Sequence, residues 1–267
     1  MTSKRTKAPD KKETFQTSED LDNGLSSQIS HLYELAGASD SIFGSPLGPV
    51  ETAAGTRYLP HFVYFGPYSS LESLRLAVLT GFNSTELAAS RALLALVHDL
   101  ILQPDIGQGI NVSFFPVVNV AGLLGGSGER DLLREHWGRS CQPEISLIRD
   151  YSKERSYQGF LRIGATSDKD ASAVVRTILS TTAHPTNVEL FSSSDFEPWQ
   201  VSFETLPRAT VPFGPLTFSG DPSRTPFEVE LSLPIGWSQA QSDRALSRVL
   251  KRLIVGYRGF QAYGLHL

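Results

Sequence analysis

The segment Leu74 to Glu86 reads LRLAVLTGFNSTE, and it decides the class of the fold. Its first seven residues are mostly apolar, which is typical of a strand buried on both faces of a parallel sheet. Gly81 then marks a turn, and Asn83 or Ser84 is placed to cap the helix that follows. The segment therefore predicts a strand-to-helix junction at the carboxyl end of a sheet strand, where α/β proteins bind their ligands.

The residues after this junction extend the pattern. Apolar residues recur at helical spacing over 87–101, and Pro104 is the predicted stop of that helix. A Val- and Phe-rich stretch over 110–119 predicts a second interior strand, so strand, helix and strand form a βαβ unit with parallel strands. Farther along, we predict strands at 159–165, 187–191 and 227–233, a helix at 169–180, and a final amphipathic helix through 246–254.

The N-terminal part of the chain has a different composition. Residues 1–24 are polar and nearly devoid of large apolar side chains, which predicts a disordered tail. Residues 25–57 predict a short amphipathic helix and a linker rich in glycine and proline. The α/β domain is predicted over 58–267.

Composition excludes several classes of protein. The net charge of −4 argues against nucleic-acid binding, which needs a basic face. No apolar run reaches about eighteen residues and no apolar signal segment begins the sequence, so we expect a cytoplasmic protein without a membrane span. The single cysteine, Cys141, excludes an intramolecular disulfide, and we interpret it as a small, partly buried side chain rather than a nucleophile. The oligomeric state stays undetermined.

Several segments together resemble the zinc carboxypeptidase superfamily, in particular its succinylglutamate desuccinylase and aspartoacylase branch. Residues 81–86 are similar to the branch's Gly-x-His-x-x-Glu turn, and residues 115–122 to its strand ending in Pro-x-x-Asn-Pro-x-Gly. Residues 131–138 look like its Asp-Leu-Asn-Arg and Phe-Pro-Gly sequence, and residues 227–231 like the strand that carries its catalytic glutamate. The resemblance implies a three-layer α/β/α sandwich with a mixed, mostly parallel central sheet.

The resemblance also implies which residues would form the site. In the family, the His and Glu of the first motif and a second His on a middle strand hold zinc, and the late Glu is the general base. Glu86 matches the carboxylate ligand and Glu230 the general base, while Asn83 stands in place of the first His. Arg134 and Asp131 match the substrate-binding motif.

The second histidine of the family has no counterpart in this sequence. The corresponding strand reads GFLRIGA over 159–165, and no histidine lies between His136 and His184. One carboxylate and one neutral amide are a poor ligand set for zinc. We therefore expect no cofactor, and zinc only if other residues build an atypical site.

Each matched residue also has a structural interpretation. Glu86 fits the first turn of a helix, where the dipole favours a negative charge, and Asn83 fits a turn or cap. Arg134 can serve as an ion-pair partner, and Glu230 as a buried or solvent-facing acid. His136 follows the substrate-binding motif closely enough to reach the rim of a cleft.

Three functions stay open from the sequence. The preferred hypothesis is a degenerate family member that binds a small carboxylate or peptide-like ligand, or a protein partner, in the remnant cleft without zinc hydrolysis. The alternative is an active metallo-hydrolase, a carboxypeptidase or N-acyl amino acid amidohydrolase, with an atypical metal site. The third is a structural or regulatory subunit whose cleft is filled by side chains such as Phe82 and Leu133.

Overall fold

A computed structural model gives the fold of the chain. It describes residues 18–70, 73–124, 142–155, 157, 159–166, 172–179, 200–207 and 227–264. The strands are β1 (Ile42–Gly44), β2 (Leu47–Thr52), β3 (Gly55–Leu59), β4 (Phe62–Phe65), β5 (Leu74–Leu79), β6 (Ile110–Phe115), β7 (Gly159–Thr166), β8 (Ser172–Leu179), β9 (Gln200–Pro207) and β10 (Phe227–Pro234). The α-helices are α1 (Ser18–Gly37), α2 (Leu87–Leu102), α3 (Val120–Leu123), α4 (Pro143–Arg155) and α5 (Gln239–Gly264), with 3-10 turns at Ser84–Glu86 and Pro104–Gly107.

Eight of these strands form one mixed sheet in the order β1-β4-β6-β5-β7-β10-β8-β9. The central strands β6, β5, β7 and β10 run parallel to one another. On one side β4 and β1 continue the sheet antiparallel, and on the other β8 pairs antiparallel with β10 and parallel with β9. The predicted mixed, mostly parallel sheet is confirmed.

Helices cover both faces of this sheet. On one face, α1, α2 and α5 pack together, and Tyr33 of α1 stacks on Phe62 of β4 with ring centroids 4.6 Å apart. On the other face, Tyr151 of α4 meets Phe115 of β6 edge-on at 6.2 Å. Phe62 pairs with Phe114, the neighbour of Phe115, and consecutive strand residues point to opposite faces. The arrangement is the expected α/β/α sandwich.

The predicted βαβ unit forms the centre of the core. Leu76 to Leu79 of β5 are all at most 2% exposed, because helices cover both faces of the sheet at this strand. The apolar stripe of α2, including Leu93 and Val97, is fully buried against it. The helix ends at Leu102, ahead of the predicted stop at Pro104.

Two sequence predictions are wrong in their secondary structure. The helix predicted at 169–180 is strand β8, whose sequence SAVVRTIL is rich in β-branched residues and pairs with β10 and β9 on its two sides. The linker predicted within 25–57 contains β1 and β2, because β1 extends the main sheet and β2 pairs with β3. The strand predicted at 187–191 lies outside the described residues.

The N-terminal region packs on the same core as the sheet. Helix α1 begins at Ser18, within the segment assigned to the polar tail, and residues 1–17 lie outside the described part. Leu25 and Ile42 are both 0% exposed and belong to the same hydrophobic cluster as β5. The division of the chain at 24 and 57 stays a prediction. Among the described helices, none is long and apolar enough to cross a membrane.

Candidate functional site

The turn between β5 and α2 lies at the carboxyl end of the parallel strands, as the sequence predicts. Gly81 has a φ of 73°, and a Cβ there would lie 2.9 Å from the carbonyl oxygen of Pro116, so only glycine fits without strain. Asn83 then caps the 3-10 turn, because its Oδ1 accepts hydrogen bonds from the backbone N–H and the hydroxyl of Thr85. This tight turn places Glu86 next to the sheet.

Glu86 is the buried acid of this turn, with 3% of its surface exposed. Its Oε2 accepts a hydrogen bond from the backbone N–H of Phe82 at 2.8 Å, and its Oε1 accepts one from Nδ2 of Asn83 at 3.2 Å. The same Oε1 lies 3.8 Å from Nη2 of Arg162 on β7. The carboxylate is therefore held from three sides.

The pKa of Glu86 lies near neutral pH. Burial raises its pKa to about 7, because the ionised carboxylate loses its hydration. The nearby Arg162 guanidinium and the Phe82 N–H act in the opposite direction, whereas the charge of Glu230 raises the pKa further. The two acids thus act on each other through space.

Arg162 is a site residue that the sequence reasoning did not single out. Its Cζ lies 4.3 Å from the centroid of the Phe82 ring, so the guanidinium is held between an aromatic face and the Glu86 carboxylate. Its Nε and Nη1 atoms are buried and have no hydrogen-bond partner among the residues that the structure describes. The sequence feature that could have identified Arg162 is its position as the single charged residue of the strand GFLRIGAT.

Glu230 completes the cluster from the neighbouring strand. It is partly buried on β10, and its Cα is the register partner of the Arg162 Cα on β7. Partners in adjacent parallel strands point to the same face of the sheet. The structure therefore brings together three predicted site residues, Asn83, Glu86 and Glu230, and adds Arg162. Asp131 and Arg134, the predicted substrate-binding residues, lie outside the described part of the chain.

The residues of this turn do not fit a zinc ion. A protein zinc site needs about three neutral or anionic donor atoms. The Asn83 oxygen is already used by Thr85, its amide nitrogen is not a ligand, and the Arg162 guanidinium would repel a cation beside Glu86. Within the described residues, no group of three or more His, Cys, Asp and Glu side chains could hold a metal ion.

His61 is a second buried titratable residue, in a different environment. It is 0% exposed, its ring stacks on Phe115 at 4.7 Å and meets Tyr151 edge-on at 4.6 Å. Its Nδ1 lies 2.9 Å from the carbonyl oxygen of Ser45, and none of the described residues forms a hydrogen bond with its Nε2. Burial lowers its pKa to about 4, so the ring is neutral at physiological pH.

Comparison with solved structures identifies the fold. A metallo-carboxypeptidase from Pseudomonas aeruginosa in complex with (2-guanidinoethylmercapto)succinic acid matches with a TM-score of 0.64 and 17% identity, over 85% of this chain and 67% of that chain. A metallo-carboxypeptidase from Burkholderia cenocepacia has a TM-score of 0.64 and 14% identity, over 88% and 68% of the two chains. An aspartoacylase family protein from Mesorhizobium loti has a TM-score of 0.52 and 17% identity, over 80% and 67%.

These likenesses confirm the carboxypeptidase-like fold that the sequence motifs imply. No protein-family model matches the chain, and no curated protein sequence matches it significantly. At such low identities the shared feature is the fold, and the chemistry has to be argued from the site residues of this chain.

Proposed function

We propose that this protein is a pseudoenzyme of the carboxypeptidase-like fold, which lacks catalytic zinc and binds a small carboxylate or peptide-like ligand beside Glu86. A protein partner with an exposed carboxylate or peptide group would satisfy the same chemistry. The observation that carries the proposal is the guanidinium of Arg162, which lies 3.8 Å from the carboxylate that resembles a zinc ligand. A fixed positive charge there opposes the binding of a metal ion.

The ligand class follows from the donors of Arg162. The guanidinium is permanently charged and forms paired N–H hydrogen bonds to planar oxygen groups, such as carboxylates and peptide carbonyls. Within the described part of the chain its Nε and Nη1 atoms have no acceptor, and a buried donor without an acceptor costs free energy. A ligand oxygen reaching these atoms would remove that cost.

The alternative is an active metallo-hydrolase, a carboxypeptidase or N-acyl amino acid amidohydrolase, with an atypical zinc site. It is favoured by the two acids that resemble the family's metal ligand and general base, since Glu86 and Glu230 are close enough to interact electrostatically. His136 and His184 lie outside the described residues and would be the first candidates for additional ligands.

Elemental analysis tests the metal part of the proposal. The protein is purified without chelators, equilibrated with zinc and freed of excess ion, beside the variants Glu86→Gln, His136→Gln and His184→Gln. We expect far less than one zinc per chain in the wild-type protein. One zinc per chain, lost in any of these variants, would overturn the proposal and support the alternative.

Calorimetry and a hydrolysis assay test the ligand part. The first probe is (2-guanidinoethylmercapto)succinic acid, the compound in the Pseudomonas aeruginosa complex, followed by a panel of N-acyl amino acids and short peptides. We expect binding without added zinc, no turnover, and weaker binding in Arg162→Met. The matched control is Arg57→Met, which removes an exposed arginine on the separate β2–β3 hairpin. Zinc-dependent turnover that Glu230→Gln abolishes would favour the hydrolase.

A further inference from the structure

Two acids and one arginine meet beside the carboxyl end of β5. Glu86 follows β5 in the tight turn, Arg162 pairs with Leu79 at the end of β5, and Glu230 pairs with Arg162 from the other side. Glu86 is almost completely buried, and Arg162 is 19% exposed. Two neighbouring carboxylates in such a place repel each other unless a positive charge lies close to both.

The arginine is held in a fixed position between its neighbours. The Phe82 ring lies under the guanidinium, and the Phe82 N–H and the Asn83 amide orient the Glu86 carboxylate beside it. Gly164, two residues after Arg162, borders that carboxylate, since a Cβ there would lie in ordinary contact, 3.5 Å from Oε1 of Glu86. The cation is thus covalently part of the sheet and cannot dissociate as an ion can.

We infer that Arg162 takes the electrostatic place of a divalent cation between Glu86 and Glu230, and that removing its charge turns these two acids into a cation site. Arg162 is a positioning residue in this role, because its guanidinium lies beside the Glu86 carboxylate and its backbone is the register partner of Glu230. The inference rests on the proposed absence of catalytic zinc. It adds that the loss of the metal is compensated inside the chain and is reversible by one substitution.

The carboxylate oxygens of Glu86 and Glu230 determine which ion would bind. In Arg162→Ser the guanidinium is replaced by a small neutral side chain, which leaves space for a hydrated ion between carboxylate oxygens. Carboxylates and water are the ligands that Mg²⁺ and Mn²⁺ prefer, and Mn²⁺ binds more tightly in most sites. Mn²⁺ also has a paramagnetic resonance signal that falls when the free ion is bound, so it is the probe.

The experiment titrates Mn²⁺ into four proteins: wild type, Arg162→Ser, Arg162→Lys, and the double variant Arg162→Ser with Glu230→Gln. We expect Arg162→Ser to bind one Mn²⁺ per chain at least about tenfold more tightly than wild type, well beyond experimental scatter. Arg162→Lys retains a positive charge and should behave like wild type. The double variant should lose the gained affinity. A rise of the Arg162→Ser melting temperature with Mn²⁺ is the second readout.

The outcomes separate this inference from the proposed function. If wild type already binds zinc at Glu86, the proposed function fails. If wild type binds no metal and Arg162→Ser gains no affinity, or gains it equally in the Glu230→Gln background, the inference is overturned and the proposed function stands. If Arg162→Ser is unfolded, recovery of its circular dichroism spectrum by Mn²⁺ supports the inference, and failure to recover counts against it.

Discussion

The Glu86 turn and the His61 pocket are two ways of burying a titratable side chain in one sheet. They are linked by a single row of residues, because Phe115, on which His61 stacks, pairs with Leu79, and Leu79 pairs with Arg162. Glu86 is surrounded by a cation, a second acid and hydrogen-bond donors, whereas His61 is surrounded by aromatic rings and one carbonyl oxygen.

The difference shows that burial alone does not make a site. His61 stays neutral because burial and the nearby charge of Arg155 outweigh its hydrogen bond to the Ser45 carbonyl oxygen, and its ring serves as a packing surface. Glu86 keeps a pKa of about 7, since its partners offset part of the cost of burial. A buried group beside an opposite charge, such as Glu86 beside Arg162, is a candidate for function. His61, whose charged neighbour Arg155 only disfavours the imidazolium, is part of the core.

The first prediction makes Glu86 resemble His61 by removing its charged partner. We expect Arg162→Met to lower the free energy of unfolding above the Glu86 pKa of about 7, by up to about 1.4 kcal/mol for each pH unit, because the unpaired acid can take up a proton instead of staying charged. The folded-state pKa of Glu86 is raised from 4.5 to about 7, so ionisation costs stability as pH rises through that window. Arg162 offsets part of this cost, and the loss should therefore grow with pH.

Urea denaturation one unit below and one unit above a pH of about 7 measures this effect. Glu86→Gln added to Arg162→Met should restore part of the stability, because no charge is left to compensate. Arg57→Met serves as the control with no expected change. An equal loss at both pH values would show that Arg162 contributes packing and not charge compensation.

The next prediction concerns His61 and the loss of folding stability at acidic pH. The pKa of His61 falls from 6.5 to about 4 on folding, so the unfolded chain takes up the proton first and stability decreases as pH falls through that window. The expected loss is about 3 kcal/mol, from about 1.4 kcal/mol per pKa unit.

His61→Asn removes the titration and retains a donor for the Ser45 carbonyl oxygen. The variant should be less stable because the ring contacts are lost. Its free energy of unfolding should, however, vary less than that of the wild type between pH 6.5 and a pH of about 4. His98→Asn, on the half-exposed face of α2, is the matched control for the replacement of a histidine outside the pocket. An unchanged slope in His61→Asn would mean that His61 is charged in the folded protein.

A smaller effect tests the backbone that positions Glu86. Gly81→Ala should cost about 2 kcal/mol, because the left-handed backbone is unfavourable for alanine and the new Cβ contacts the Pro116 carbonyl. Gly55→Ala separates the two causes, since Gly55 also has a positive φ of 105° but open space around it. It should cost about 1 kcal/mol. Thermal melting of both variants gives the comparison, and equal losses would exclude the steric contact.

The smallest effect is expected at the cap of the turn. Asn83→Ala removes the acceptor for Thr85 and one donor to Glu86, and should cost about 1 kcal/mol. Asn83→Ser keeps an oxygen acceptor and should lose less. If both substitutions are neutral, the turn is held by Gly81 and the packing of α2, and the amide has no stabilising role.

The sequence was sufficient for the local parts of the fold and of the site. The apolar run of β5, the glycine turn and the stripe of α2 predict the strand-to-helix junction. The sequence offers Asn83 or Ser84 as the cap of the helix, and in the structure Asn83 caps the 3-10 turn that precedes α2. The resemblance to the carboxypeptidase family selects Glu86 and Glu230, which interact electrostatically in the structure, and their roles stay predictions. Arg134 and Asp131 stay predictions.

Other features could not be predicted because their partners are distant in the chain. The pattern of residues 169–180 was interpreted as a helix, and strand pairing with β10 and β9 decided otherwise. The sequence does not show which residue Arg162 contacts, and only the position of β7 in the sheet brings it beside Glu86. His61 was one of several scattered histidines, and only the approach of α4 made it a buried ring.

What the sequence determined by itself is therefore the order of strands and helices around residue 81, since apolar periodicity, glycine and caps act between near neighbours. What only the tertiary structure decided is the charge of the buried site. The pKa of Glu86 depends on Arg162 and Glu230, which come from two other strands. Electrostatic interactions between buried groups depend on their distance in space and not on their separation along the chain.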